Sequence, residues 1–431
     1  EYLIPFELSK QGPKMCKADV NKDGLEDLFI GGPSGQAGVL YLQLEDGKFK
    51  RSNSQPWQKD AVCEDVSSVF FDADNDGDED LYIVSGGNEW MAPGPELQDR
   101  LYLNDGIGNF SKSAASLPQE DYSGSCVAAV DFDKDGDIDL FVGDRTVPGM
   151  YPMVGGNILL RNDYDKITRQ VKFTNITPTA GGGNLFNAGM VTDAVWTDID
   201  KDGWPDLVLG GDWMPIKIFH NNNGAKFTDI TEASGLSTTN GFWRKILPAD
   251  IDQDGDIDLV VGNIGCNTNF KCSPAEPMVT YAADFSNDGS IDPIMTRFIK
   301  GKPYPTHSRD ELMEQMPQLN KVFLKYADYA GATLENIITK EQIAAAQKFY
   351  VYHTESAILI NDKGKFSFRP LPIEAQFSSI YGISFRDYDD DGKNDLLLTG
   401  NFFPFRVQQG NNDASLGLLL KGNNKGDFKP V

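Results

Sequence analysis

The sequence predicts an all-β fold: a seven-bladed β-propeller of four-stranded antiparallel blades, with a short helical insertion in blade six. Three observations predict it. An acidic nine-residue motif, D-x-[D/N/S]-x-D-G-x-x-D, occurs seven times, opening at Asp19, Asp72, Asp131, Asp198, Asp250, Asp284 and Asp387. Short apolar runs of strand type follow most copies, as at Leu81–Val84, Leu140–Val142, Leu207–Leu209, Leu259–Val261 and Leu396–Leu398. Hairpin signals recur at Leu101–Phe110, Ile218–Phe227 and Ile358–Phe366, where Asn, Asp and Gly suit tight reversals.

The motif is a cage for a hard cation. Alternate positions of a tight loop point inward, so side chains at positions 1, 3, 5 and 9 converge, and the backbone carbonyl of position 7 completes six or seven oxygens. That is the coordination calcium takes, and a flexible all-oxygen cage disfavours magnesium. Gly at position 6 permits the sharp turn. The ligands by copy are Asp19, Asn21, Asp23 and Asp27; Asp72, Asp74, Asp76 and Asp80; Asp131, Asp133, Asp135 and Asp139; Asp198, Asp200, Asp202 and Asp206; Asp250, Asp252, Asp254 and Asp258; Asp284, Ser286, Asp288 and Asp292; Asp387, Asp389, Asp391 and Asp395. Position 9 is expected to bind through both oxygens. No His or Cys stands at a ligand position, which argues against zinc or copper. Up to seven Ca²⁺ are expected, with loops one and six weakest because Asn21 and Ser286 replace a carboxylate. An EF-hand loop starts alike but is twelve residues long, ends in Glu and joins helices; here the fourth carboxylate comes at position 9 and strands follow. Asp-, Asn- and Gly-rich segments also make ordinary turns, but seven copies with strands behind them exceed that explanation.

Motif starts lie 53, 59, 67, 52, 34 and 103 residues apart. The first four intervals suit a four-stranded blade. The 34 predicts a blade five cut short after Asn263, and the 103 predicts an insertion in blade six. The expected blades are 12–62, 63–124, 125–189, 190–242, 243–277, 278–378 with a helical insertion at 305–350, and 379–431, in one domain. Ser308 with Glu311 forms a capping box opening a helix over Arg309–Met316. Thr339 caps a second piece through Gln347, and Thr333 a short third.

Composition narrows the function. The 431 residues carry 64 acidic against 39 basic side chains, a formal charge of −25, and seven Ca²⁺ would bring that to −11. This acidity argues against nucleic acid, whose phosphates need a basic face, and against an anionic membrane. No apolar run reaches the roughly 20 residues that cross a bilayer. The chain starts at Glu1 without Met, so a processed or excised piece is expected. Of five cysteines, Cys266 and Cys272 bracket a short loop and could bridge, and Cys63 and Cys126, at matching points of successive repeats, could pair. The odd count leaves the compartment open. Calcium at a hundredfold excess over Kd would stabilise the fold by roughly 2.7 kcal/mol per site, so an extracellular, cell-surface or periplasmic setting is expected.

Strands alternate direction, so the acidic loops share one face. The opposite connections carry the unusual residues Trp90, Tyr151, Trp213, Trp243, Arg244, Tyr304, His307, Arg309, Phe402 and Arg406. Aromatic and polar groups gathered from several blades predict a recognition face for a protein partner or a glycan. No nucleophile elbow, P-loop or H-E-x-x-H is present, so a non-enzymatic binding or scaffold module is expected. The alternative is a lyase-like enzyme acting on polysaccharide, with His307, Tyr304 and Arg309 as suspects.

The repeats resemble the FG-GAP or VCBS repeats of integrin α-subunit propellers. The chain as a whole resembles large bacterial surface proteins of the VCBS type, common in Bacteroidetes and related to the ASPIC/UnbV and cartilage-acidic-protein families. The residues that carry this are Gly12-Pro13, Cys63–Asp65, Ser85–Glu89, Val147–Pro152, Asp206–Pro215, Tyr304–Leu312 and Tyr326–Thr333. The resemblance implies a calcium-dependent surface protein, outer-membrane anchored as a lipoprotein through a part outside this chain. It also implies a role beside a nutrient-uptake complex of the SusC/SusD type.

Overall fold

The computed structural model describes residues 3–10, 12–53, 55–113, 115–120, 122–406 and 409–431. It is all-β, with seven antiparallel sheets. The first three are four-stranded meanders: β1 (Met15–Ala18), β2 (Asp27–Ile30), β3 (Val39–Gln43) and β4 (Phe49–Arg51); β5 (Glu64–Phe71), β6 (Asp80–Gly86), β7 (Arg100–Asn104) and β8 (Phe110–Lys112); β9 (Ser123–Val130), β10 (Asp139–Thr146), β11 (Ile158–Asn162) and β12 (Phe173–Asn175). Two short helices, α1 (Thr177–Ala180) and α2 (Gly182–Phe186), lead to the fourth sheet: β13 (Met190–Thr197), β14 (Asp206–Met214), β15 (Lys217–Asn222) and β16 (Lys226–Asp229), with β17 (Gly241–Phe242) added to β14.

From here the connectivity departs from the predicted blade order. β18 (Lys245–Ala249) and β19 (Asp258–Gly262) are followed by a separate sheet, β20 (Met278–Ala283), β21 (Asp292–Ile299), β22 (Lys302–Pro305) and β23 (Gln347–Val351). Only then come β24 (Ala357–Asp362) and β25 (Lys365–Pro370), which complete the sheet begun by β18 and β19; Leu259 faces Leu359 in that pairing. The expected short blade at 243–277 is thus a full sheet, and the hairpin assigned to 278–378 belongs to it. The sheet β20–β23 with its helices is the insertion. Spacing misled because a hairpin signal carries no label for the strand it will join; side-chain packing decides that. The last sheet is β26 (Gly382–Arg386), β27 (Asp395–Thr399), β28 (Leu418–Gly422) and β29 (Phe428–Pro430).

The insertion's helices are α3 (Arg309–Gln315), α4 (Tyr326–Tyr329) and α5 (Lys340–Ala345). Ser308 and Thr339 cap α3 and α5 through capping boxes with Glu311 and Gln342, and Thr333 caps a 3₁₀ turn with Asn336. α5 stops two residues before Gln347, which instead opens β23 against β20. Leu312, Met313, Leu319, Leu334 and Ile338 pack these turns onto Phe285 and Ile294 of the inserted sheet.

β6, β10, β14 and β19 are buried along their whole length. Their unbroken apolar runs suit strands covered on both faces. Apolar clusters join neighbouring sheets: Leu81 with Phe29, Tyr82 with Leu140, Phe141 with Leu207, Val208 with Leu259, Val260 with Leu396. The first strands β1, β5, β9, β13, β18 and β26 touch in that succession. Residues on or beside all six line a single cavity of about 80 Å³. The inserted sheet contributes none of its lining among the described residues. Met278, Met295 and Val351 of that sheet join an aromatic cluster of Phe6, Tyr151, Trp213, Phe242, Phe402 and Phe405. Phe6 stands edge-on to Phe242 and Phe402, both at 5.2 Å.

Candidate cation-binding loops

All seven motif copies adopt one loop. Position 6 is Gly with φ between 82° and 94°, as the turn demands. Position 4 is also left-handed: Lys22, Asn75, Lys134, Lys201, Gln253, Asn287 and Asp390 have φ between 57° and 62°. No β-branched residue stands there, and none would tolerate it. Position 1 closes the turn, its Oδ2 accepting from the Gly N–H in every copy, for example Gly24 to Asp19 at 2.8 Å and Gly392 to Asp387 at 2.8 Å.

Position 9 is the first residue of the second strand in each sheet and is fully buried, 0 % exposed in six copies and 1 % at Asp395. Its Oδ2 accepts the N–H of position 2, as from Ala73 to Asp80 at 2.9 Å and Phe285 to Asp292 at 2.8 Å. Its Oδ1 accepts a backbone N–H from the third strand in six copies: Gln43, Asn104, Asn162, Asn221, Asn361 and Gly422. In loop six that place is taken by Gln315 Nε2 of α3, 2.8 Å from Asp292. The carboxylate therefore ties loop to sheet; Asp292 Oδ2 also accepts from the Ser286 N–H, and Asp206 Oδ1 also meets His220. The two-oxygen grip expected from sequence must share those oxygens with peptide groups.

Ligand atoms of Asp72, Asp74 and Asp80, and those of Asp131, Asp133 and Asp139, lie within 4.8 Å of one another. So do those of Asp198, Asp200 and Asp202, and of Asp74, Asp76 and Asp78. Asp74 Oδ1, Asp133 Oδ1 and Asp250 Oδ1 are buried with no hydrogen-bond partner. An orphaned carboxylate oxygen in a cluster of its own charge is costly unless a cation faces it, so the residues present fit a hard divalent ion. Burial pushes Asp80 and Asp139 up to about 8, only partly offset by their backbone N–H donors. It pushes Asp206 and Asp258 up to about 6. Loop four is joined by a group from outside its own motif: His220 Nδ1 is 3.1 Å from Asp206 Oδ1 and 3.4 Å from Asp200 Oδ2. Only the pairing of β14 with β15 brings it there.

Successive loops also touch sideways, from position 4 of one to the next. Asn75 donates to Asp137, Lys134 Nζ lies 4.3 Å from the Trp204 ring, and Lys201 Nζ reaches Asp256 at 2.6 Å. Loops two to five therefore lie side by side, as strand alternation predicts.

The opposite face does not present most of the residues expected to form a recognition surface. Tyr151, Trp213, Trp243, Arg244, His307 and Phe402 are buried. The inserted sheet lies against that aromatic cluster, which spacing alone could not foretell. Trp90, Tyr304, Arg309 and Arg406 are half-buried. His307 Nε2 accepts the Met295 N–H at 3.0 Å, and burial pushes its pKa down to about 4. Arg309 is held by the Phe323 carbonyl and Arg406 by Glu311. Cys63 and Cys126, and Cys266 and Cys272, which the sequence left open as possible pairs, are free in the structure, as is Cys16. Cys126 instead packs among Phe141, Val191 and Leu207, and burial raises its thiol to about 11.

Acidic loops one to five lie within residues 19–83, 72–142 and 198–261, which match a family model described as an FG-GAP-like repeat. The chain is similar to cartilage acidic protein 1: 22 % identical to the Mus musculus protein over 311 residues and 23 % to the Homo sapiens protein over 321, covering 64 % of this chain in both. It spans about half the length of these curated relatives, 46 % and 45 %. Among solved structures, an Agrocybe aegerita lectin with specific recognition of non-reducing terminal N-acetylglucosamine matches 97 % of this chain and 79 % of its own at 12 % identity, TM-score 0.45. The V. cholerae biofilm matrix protein Bap1 matches the same shares at 11 % identity, TM-score 0.38. At such scores the likeness carries no argument.

Proposed function

We propose that this chain is a calcium-stiffened binding or scaffold module of propeller type. Six sheets serve as blades around the shared cavity, and the seventh is an insertion laid over their central aromatic cluster. The observation that carries the reading is the convergence of position 1, 3 and 9 carboxylates, with orphaned oxygens, in repeated loops. Positions 1, 3, 5 and 9 of each loop would hold the ion, with His220 beside loop four. The bound ion would supply charge neutralisation and stiffness rather than reaction chemistry. The carboxylate density suits calcium at the millimolar levels outside cells, which supports an extracellular or surface setting, with a protein or glycan as the partner. Binding would use the half-buried rim at Trp90, Tyr304 and Arg309 rather than the covered aromatics. The lyase-like alternative gains no support from His307, whose Nε2 is occupied by a backbone N–H.

Isothermal titration of chelator-stripped protein with CaCl₂ tests the reading. The expected result is several sites, a melting temperature that rises with calcium and a smaller response to MgCl₂. No heat and an unchanged melting temperature would overturn it.

A further inference from the structure

The charged side chains that line the cavity where six first strands meet are all basic, against the chain's overall −25. Lys14, Arg145 and Arg244 line it. One carboxylate, Asp212, serves both arginines: it accepts from Arg145 Nε at 3.0 Å and Nη2, and from Arg244 Nη1 at 2.8 Å. Two guanidinium groups thus share one carboxylate, and Lys14 adds a further positive charge, while the Glu64 and Glu89 carboxyls lie behind Gly87 of the lining. Lys14 Nζ donates to the Thr192 carbonyl at 3.2 Å and has two further N–H groups.

Arg244 shows the vacancy most sharply. The residue is 4 % exposed, yet its Nε and Nη2 have no hydrogen-bond partner among the described residues. Those two nitrogens form the side-on fork of a guanidinium, the same pair by which Arg145 holds Asp212. Buried N–H groups of a charged side chain are expensive to leave unpaired. A parallel pair of them matches the two oxygens of a carboxylate. The Arg244 Cζ lies 4.9 Å from the Phe6 ring centre and 5.1 Å from that of Phe402, which keep it from bulk water. The Ser125 and Thr192 hydroxyls already donate to backbone carbonyls, which leaves the cationic N–H groups, with the Ser123 hydroxyl and the Tyr381 phenol also in the lining.

We propose that this cavity binds a small carboxylate, held bidentately by Nε and Nη2 of Arg244 and by Nζ of Lys14. A water needs roughly 10–15 Å³ on the same measure, so about 80 Å³ admits an acid of a few heavy atoms and excludes a whole sugar ring. The site lies at the sheet junction and does not depend on the acidic loops being filled.

The test is thermal melting and titration calorimetry of the calcium-supplemented protein with sodium acetate, at constant ionic strength against sodium chloride, with neutral acetamide and sodium phosphate as comparisons. Acetate is expected to raise the melting temperature saturably and acetamide to have no effect. Arg244→Lys keeps the charge but loses the fork and is expected to weaken acetate at least tenfold. Should that variant fail to fold, Lys14→Gln, at an exposed position, is expected to weaken acetate severalfold. Equal responses to acetate and acetamide, binding of phosphate without acetate, or unchanged acetate affinity in the folded variants would each overturn the proposal.

Discussion

Asn104 in β7 donates through Nδ2 to the carbonyl of Val20, 84 residues earlier, at 2.8 Å. Asn162 does the same to Ala73 and Asn221 to Phe132, both at 2.9 Å. Each asparagine thus staples its sheet to the acidic loop of the preceding sheet, while its backbone N–H holds the position 9 carboxylate of its own. Asn104→Ala leaves the buried Val20 carbonyl short of this donor and is expected to cost about 1–3 kcal/mol. Urea unfolding measures it, and a loss below a few tenths would contradict the staple.

Calcium binding should expel protons. Asp80 and Asp139 without an ion have carboxyls raised to about 8 by burial, far above the unfolded value of about 3.9. The stability tied to their protonated form is present below about 4 and is lost as pH rises through about 8. Chelator-treated protein is therefore expected to melt progressively lower from pH 5 to pH 8, and calcium to flatten that decline. Calorimetry in two buffers of different ionisation heat reads the released protons; identical heats would refute the coupling.

Loop one carries Asn21, whose amide donates to Asp23 at 3.0 Å. Asn21→Asp restores the fourth carboxylate and is expected to tighten the weakest class of sites by about tenfold, by analogy with charge-count tuning in calcium loops. An unchanged binding isotherm would count against the ligand assignment.

Glu64 is pushed up to about 8, by burial first and then by the neighbouring Glu89. A protonated carboxyl in the fold and an ionised one in the unfolded chain make stability fall between about pH 4.5 and 8. Glu64→Gln removes that slope, so the variant should match the parent at pH 4 and exceed it at pH 9. Melting curves across that range decide, and parallel curves would reject the assignment.

Trp213 was a candidate recognition residue and lies instead in the aromatic cluster, its ring 4.8 Å from that of Phe242. Trp213→Ala is expected to destabilise the chain by about 3–5 kcal/mol. Guanidinium unfolding should show that loss whether or not any partner is present.

The loops were legible because their chemistry is local. An acidic side chain every second residue, a glycine at position 6 and an apolar run behind them specify turn, cage and strand within a dozen residues. Position 4 was open to the same reading, since its Lys, Asn, Gln and Asp share the absence of a branched Cβ. The stapling asparagines were visible at or next to the end of each third-strand run, but their partners lie more than 80 residues away, and no periodicity reports that. His220 entered loop four, and Gln315 replaced a backbone donor in loop six, only through the packing of neighbouring elements.

The sequence by itself determined the repeating acidic loop, the convergence of its carboxylates and the antiparallel sheets, because each arises from contacts between near neighbours in the chain. Only the tertiary structure decided that β24 returns to β19, that β20–β23 lies over the aromatics between, and that Arg244 is left with a vacant fork beside Asp212. Those outcomes depend on which apolar faces and which charges meet once the sheets stack, a competition among distant segments that no local pattern encodes.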